Sequence, residues 1–395
     1  MKTKLTLLAA IAAATSLPAS ANFDTRSFAM GGVGVSSSKY LTAFNHNPAL
    51  TANFAKGDSF GLLIPTVGAH IDDEGDTYNL LDTYSERYDD YTNNPNSIDS
   101  ARDLINTIEE LKGTQFQAQA NVALAVSIPN RKLATTLYIN SYLDTVGRLN
   151  IDDNDTDESN LIANPNYEFQ SSILAMGVAV TEFGGSFARE HKLFNQTRVL
   201  YGTNLKYQQV QTINYQTSLY DADFGSILDD EFTNKKGAFN MDAGTAYIMP
   251  SGISFGFNAK NLISHEYETI ALNGVKGTYK ITPTYTVGAS YAHRFFSLAV
   301  DYDINKTERF TSISGLNQTF DSKKDDIQYL KAGAEFDLFG FAQLRGGYKH
   351  DLAGNTEDTY TAGIGLSPFG IHLDLSASYS GSNQYGAAFQ AALMF

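Results

Sequence analysis

The chain is expected to be all-β: a transmembrane antiparallel β-barrel of about fourteen strands, with an N-terminal plug (hatch) in the lumen and one short helix in the first long loop. Three observations predict it. Segments of about ten residues alternate apolar with polar or small side chains. The connections between them alternate short and long for most of the chain. After the first 21 residues no run of eighteen apolar residues occurs, so no transmembrane helix is available. A backbone in hydrocarbon must pair every N–H and C=O internally, which leaves the closed barrel as the way for such a chain to span a membrane.

Residues 1–21 read as a signal peptide. Lys2 and Lys4 precede an apolar run from Leu5 to about Leu17, and Ala19-Ser20-Ala21 has the small-x-small form that signal peptidase accepts. The mature chain is expected to start near Asn22, with residues 22–56 as the plug and 57–395 as the barrel. The 395 residues include no cysteine and no tryptophan, and the 12% aromatic content is Phe and Tyr. Lack of cysteine excludes disulfides and thiolate chemistry. Net charge is −15, becoming −17 once Lys2 and Lys4 leave, so nucleic acid is not expected as a direct ligand.

Length admits several soluble domains or one large barrel, and strand periodicity decides. Residues 116–128 set Phe116, Ala118, Ala120, Val122, Leu124, Val126 and Ile128 against Gln117, Gln119, Asn121 and Ser127. Residues 371–380 set Ile371, Leu373, Leu375, Ala377 and Tyr379 against His372, Asp374, Ser376, Ser378 and Ser380. Leu298, Val300, Tyr302 and Ile304 oppose Ser297, Asp301, Asp303 and Asn305. Fourteen such segments are predicted: 58–71, 116–128, 133–146, 168–187, 197–220, 238–249, 252–263, 278–292, 295–307, 326–337, 341–351, 358–367, 371–380 and 384–395. The last presents Tyr385, Ala387, Phe389, Ala391, Leu393 and Phe395 on one face. By itself it fits the edge of a soluble sandwich as well as the seam of a barrel.

Loop lengths separate the two. Pro129-Asn130-Arg131-Lys132, Pro250-Ser251, His293-Arg294, Leu338-Phe339-Gly340 and Pro368-Phe369-Gly370 are tight turns. Connections 72–115, 148–167, 221–237, 264–277 and 308–325 are long and mostly polar, and only the turn at 188–196 exceeds its class. A sandwich has no reason to alternate in this way, whereas an outer-membrane barrel has periplasmic turns at one rim and extracellular loops at the other. The expected location is the outer membrane of a Gram-negative cell, with both ends of the mature chain periplasmic, as an even strand number requires.

The acid excess falls in the long loops, for example Asp152, Asp153, Asp155, Asp157 and Glu158. Such oxygen-rich clusters suit calcium, but no loop has the glycine and closing glutamate of an EF-hand, so solvated loops are expected and no metal is assigned. Residues 97–111 place Ile98, Ala101, Leu104, Ile105, Ile108 and Leu111 on one helical stripe, with Ser97 or Asn96 to cap it and Gly113 to stop it.

The segment before the first strand runs Phe28-Ala29-Met30-Gly31-Gly32-Val33-Gly34-Val35, then Asn45-His46-Asn47-Pro48-Ala49. Its glycines permit close backbone approach and positive φ in a confined lumen, and they do not form a dinucleotide fingerprint. With the signal peptide, Asn47-Pro48-Ala49 and the fourteen-strand pattern, this stretch resembles the FadL/TodX family of outer-membrane hydrophobic-compound channels. Lys260-Asn261-Leu262 and Gly288-Ala289-Ser290 are more similar to the TraF-like (conjugal transfer) branch. The resemblance implies uptake of small hydrophobic molecules, of long-chain fatty acid or hydrocarbon type, gated by a plug whose residues include Phe28, Met30, Gly31, Gly32, Gly34, Asn47, Pro48 and Ala49. The alternative it implies is a conjugal-transfer or surface scaffold protein. A terminal aromatic on the outward face also resembles the insertion signal of bacterial outer-membrane barrels. That assigns Phe389, Leu393 and Phe395 to assembly, with the barrel-assembly machinery, membrane lipid and lipopolysaccharide as partners.

No Gly-x-Ser-x-Gly elbow and no His-Glu-x-x-His occurs, and the seven histidines are scattered, so no enzyme and no cofactor is expected. Asp301 and Asp303 share a wet face and are read as lumen-lining charges, with Arg345 and Lys349 facing inward to pair with such acids.

Overall fold

A computed structural model of the chain describes residues 24–164, 167–219, 221, 226–314 and 326–395. The expected signal peptide lies outside the described residues. The strands are β1 (Gly61–Asp72), β2 (Gln115–Ile128), β3 (Ala134–Asn150), β4 (Ser172–Lys192), β5 (Arg198–Ser218), β6 (Thr233–Ile248), β7 (Ile253–Lys260), β8 (His265–Glu268), β9 (Lys276–Ile281), β10 (Thr284–Ala292), β11 (Phe296–Asp303), β12 (Phe310–Ser314), β13 (Tyr329–Leu338), β14 (Ala342–Asp351), β15 (Thr359–Leu366), β16 (Ile371–Gly381) and β17 (Gln384–Met394). Fourteen of them form one closed antiparallel barrel, and β8, β9 and β12 form a separate sheet. The last strand closes on the first, with Gly61 opposite Met394 and Asp72 opposite Gln384.

Alternation sets which face meets what. Leu137, Leu205, Phe239, Leu298, Leu344, Ile364, Leu375 and Phe389 point outward and are exposed, as a wall against lipid requires. Tyr207, Tyr302, Tyr360, Tyr379 and Tyr385 ring the wall toward the long loops, and Phe295, Phe339, Phe341, Phe369 and Phe395 lie at the short-turn rim. These are the two aromatic girdles of a membrane barrel. In β1 the register slips between Leu63 and Thr66, a bulge at Pro65, which has no N–H for the ladder.

Two departures from the sequence reading have local causes. Residues 278–292 are not one strand, because Pro283 interrupts the ladder and separates β9 from β10. The first long loop holds two helices rather than one, α2 (Thr77–Asn93) and α3 (Ile98–Leu111), after a short α1 (Thr25–Ala29). The α3 helix has Ser97 Oγ accepting from Ser100 N at 3.2 Å, and Gly113 follows at φ 82°. The α2 stripe is made of Leu81, Tyr84 and Tyr91 in an otherwise acidic sequence, a weak apolar period that tertiary burial completes. Both helices pack on Leu149 and Ile173, at the long-loop end of the wall. The small sheet turns the other way, with Tyr267, Tyr279, Ile281 and Phe310 packed on Met176, Val178, Val180 and Val210 inside the mouth of the barrel.

Candidate functional site

The site is the lumen, crossed at the short-turn end by residues 24–53. Among the residues singled out in the sequence, Met30 is buried with Val33 and Ala299, and Phe28 lines the cavity above. Gly31 (φ 73°) and Gly32 (φ 89°) make the turn after α1. Gly31 N donates to Thr361 Oγ1 at 2.9 Å, and Thr361 Oγ1 donates to Ala29 O at 3.0 Å. The amides of Gly34 and Val35 donate to Asp301 Oδ2 on β11 at 2.7 and 3.0 Å. Asn47 joins three partners: its Oδ1 accepts from Ala49 N (3.1 Å), and its Nδ2 donates to Val35 O (2.7 Å) and Thr245 O of β6 (3.0 Å). Pro48 starts a 3-10 turn that places Ala49 and Leu50 against Ala134, Leu200 and Ala246. Phe389, Leu393 and Phe395 lie elsewhere, on the outer wall.

The wall contributes further partners, of which Glu335 and Asn204 were not singled out in the sequence reading. Arg26 of the plug forks onto Glu335 of β13 at 2.8 and 2.9 Å and donates to Ser37 O at 2.9 Å. Glu335 also holds Arg345 Nε at 2.7 Å, and Arg345 continues to Asp374. Lys260 Nζ donates to Asn45 O at 3.0 Å, and Asn204 Nδ2 to Phe44 O at 2.9 Å. Phe44 stacks on Tyr138 with ring centroids 4.2 Å apart. Paired wall glycines let the backbone approach: a Cβ on Gly202 would lie 2.6 Å from Pro48 O, and one on Gly333 would lie 2.5 Å from Met30 Cβ. Their register partners Gly244 and Gly347 are equally close to the plug. The available signal was glycine inside a strand, which marks close backbone approach.

Within the plug, Asp24 accepts from Thr42 Oγ1 at 2.8 Å and lies 3.4 Å from His46 Nε2. Burial opposes its charge, but His46, Thr42 and the Arg26 guanidinium more than offset this and hold its carboxyl below the ordinary range.

Against the plug, lined by Phe28, Gly31, Gly32 and the barrel wall, lies a cavity of about 280 Å³. Charged side chains of the wall line part of it. Lys206 is paired with Glu182 and Asp242, each at 3.0 Å, and Lys331 with Asp303 at 3.2 Å. Among the described residues Lys260 and Lys349 have no carboxylate within ion-pair distance, and Lys349 Nζ lies 4.7 Å over the Tyr329 ring. The structure thus corrects the pairing expected of Lys349, while Arg345 does pair with acids. In the acidic loop, Asp155 accepts from Ser171 N (2.6 Å), Gln170 N and Tyr167 Oη, so its oxygens organise the loop.

A closed fourteen-strand barrel with its N-terminal segment folded across the lumen defines a plugged membrane barrel. The chain belongs to the family described as F plasmid transfer operon, TraF, protein, whose model matches residues 43–303. Among solved structures it is similar to the Ralstonia pickettii toluene transporter TbuX, with 14% identity and a TM-score of 0.53 over 95% of this chain and 98% of that one. It is also similar to a Pseudomonas aeruginosa FadL homologue (11%, 0.52, 96% and 99%) and to the P. putida toluene transporter TodX (11%, 0.50, 95% and 99%). At such identities the likeness is one of fold. No curated protein matches the chain.

Proposed function

We propose that the protein is an outer-membrane channel for small hydrophobic molecules, gated by residues 24–53, with the short-turn rim facing the periplasm. The observation that carries the reading is the plug itself, a segment held across a closed barrel of the toluene-transporter fold by side-chain and amide contacts rather than by strand pairing. Such contacts can be exchanged without opening the barrel. The lumen refines the cargo. A pure hydrocarbon in the cavity would desolvate Lys260 and Lys349 without supplying a counter-charge, whereas a long-chain acid brings its own carboxylate. Of the two cargo types, the acid fits better.

Membership of the TraF family supports a second reading, a scaffold in a conjugal-transfer assembly, for which the helices α2 and α3 offer a raised surface at the long-loop rim. Deleting residues 22–50 separates the two. A gated channel gains leak conductance in planar bilayers, and mass spectrometry of the gently extracted protein finds a lipid or acid. Unchanged conductance with lost mating in a deletion strain favours the scaffold.

A further inference from the structure

Among the described residues, eight other than glycine have positive φ; five are Asp or Asn, the types that tolerate it, and one is Gln196. The other two are Phe339 (φ 59°) and Phe369 (φ 55°). Each is followed by a glycine of positive φ, Gly340 (75°) and Gly370 (83°). Phe341 N donates to Leu338 O at 3.1 Å, and Ile371 N donates to Pro368 O, so both are two-residue hairpin turns of the kind that favours Asn-Gly. A bulky side chain there strains the backbone, and the chain itself offers little in return: Phe339 is 87% exposed and Phe369 96%.

Their surroundings name what does. Phe339 lies edge-on to Phe295 at 6.4 Å, and Phe295, Phe341 and Phe395 are exposed along the same arc of the rim. This arc continues directly into the lipid-facing wall. The opposite arc carries charge, with Asn130, Arg131 and Lys132 exposed at one turn between Ile128 and Leu133. The β4–β5 hairpin there runs on past Ala134, the end of β3, as far as Lys192 and Arg198, with an Arg198–Glu190 ion pair at 2.8 Å.

We propose that Phe339 and Phe369 are lipid anchors. They sink into the headgroup–acyl boundary of the leaflet at the short-turn rim, so that the β11–β17 side is drawn into the bilayer while the β4–β5 hairpin stands clear in water. The inference rests on the membrane-channel reading but concerns the depth and tilt of the barrel, not its cargo.

The absence of tryptophan makes the test direct. Phe339→Trp, Phe369→Trp, Leu375→Trp at mid-wall and Lys192→Trp each introduce a single fluorophore into the full chain, reconstituted in phosphatidylcholine vesicles with bromines near the headgroup end of the acyl chains. The F339W and F369W probes should lose emission to bromolipid and resist aqueous iodide, and K192W should do the reverse. Iodide quenching of F339W and F369W without bromolipid quenching overturns the proposal and leaves the arc free for a protein partner. If L375W also escapes lipid bromines placed at any depth, the membrane reading itself fails. A Phe339→Asn/Phe369→Asn variant, with its turns relieved of strain, should insert severalfold more slowly than the parent. Equal or faster insertion would count against anchoring.

Discussion

Asp301 connects the wall to the plug through one oxygen, which takes the amide protons of Gly34 and Val35; its Oδ1 is buried with no hydrogen-bond partner among the described residues. Bonds to a charged acceptor contribute about 1.5–3 kcal/mol each, so Asp301→Ala should release the 31–35 segment and raise single-channel leak, with little change in barrel melting. A parental conductance level in this variant would mean that Asp301 does not hold the plug. Asp24 adds a pH dependence. Its depressed carboxyl stabilises the docked plug at all pH above the ordinary 3.8, and that contribution is lost as pH falls through the lowered value. Conductance recorded at stepped pH is expected to stay low from neutrality down to about 4 and to rise in stronger acid. Asp24→Asn should raise the neutral baseline and shrink the acid step.

At the scale of the element, the seam between β17 and β1 depends on the final residue. Phe395 N donates to Phe60 O at 2.9 Å, and Phe395 O accepts from the amides of Phe60 and Ser59, so the ladder continues beyond the last strand at the short-turn rim. Its ring stays on the lipid side with Phe389 and Leu393. Removing Phe395 should therefore reduce the fraction of heat-modifiable, folded barrel in outer-membrane fractions. Full assembly of the truncated chain would argue that neither the ring nor the seam bonds matter. The helix α2 teaches the opposite lesson: it has no strong apolar period, and its burial of Tyr84 and Tyr91 becomes visible only when α3, Leu149 and Ile173 are beside it.

At the scale of the molecule, the lumen is narrowed twice, by the plug at one end and by β8, β9 and β12 at the other. Both closures combine polar and apolar contacts. The plug is held by ion pairs, amide bonds and the packing of Ala49 and Leu50, and the sheet by packing on Met176, Val178 and Val210 together with hydrogen bonds from Thr212 and Asn214 and the Arg309–Asp144 ion pair at 2.6 Å. Loss of residues 22–50 alone should give a partial gain in conductance, and further loss of residues 264–282 a larger one. If the double deletion conducts no better than the single one, the small sheet is not a barrier.

The amino-acid sequence by itself determined the architecture, because alternation with period two and the parity of loop lengths are local consequences of a wall with lipid on one side and water on the other. Thirteen of the fourteen expected strands occur as single strands of the barrel; the remaining one, 278–292, is divided at Pro283, with only its later part, β10, in the wall. Gly34 was legible as a position of close backbone approach, where a Cβ would meet the His46 ring, and Asn47 only through the resemblance carried by Asn47-Pro48-Ala49. What they bind was not. Arg26 meets Glu335 across 309 positions, and Asn47 meets Thr245 across 198. The fit of Gly202 against Pro48 depends on how the plug is threaded through a barrel that exists only once β17 has met β1. Only the tertiary structure decided these contacts, the inward fold of the small sheet and the set of charges that line the cavity, because each joins residues far apart in the chain that no local period relates.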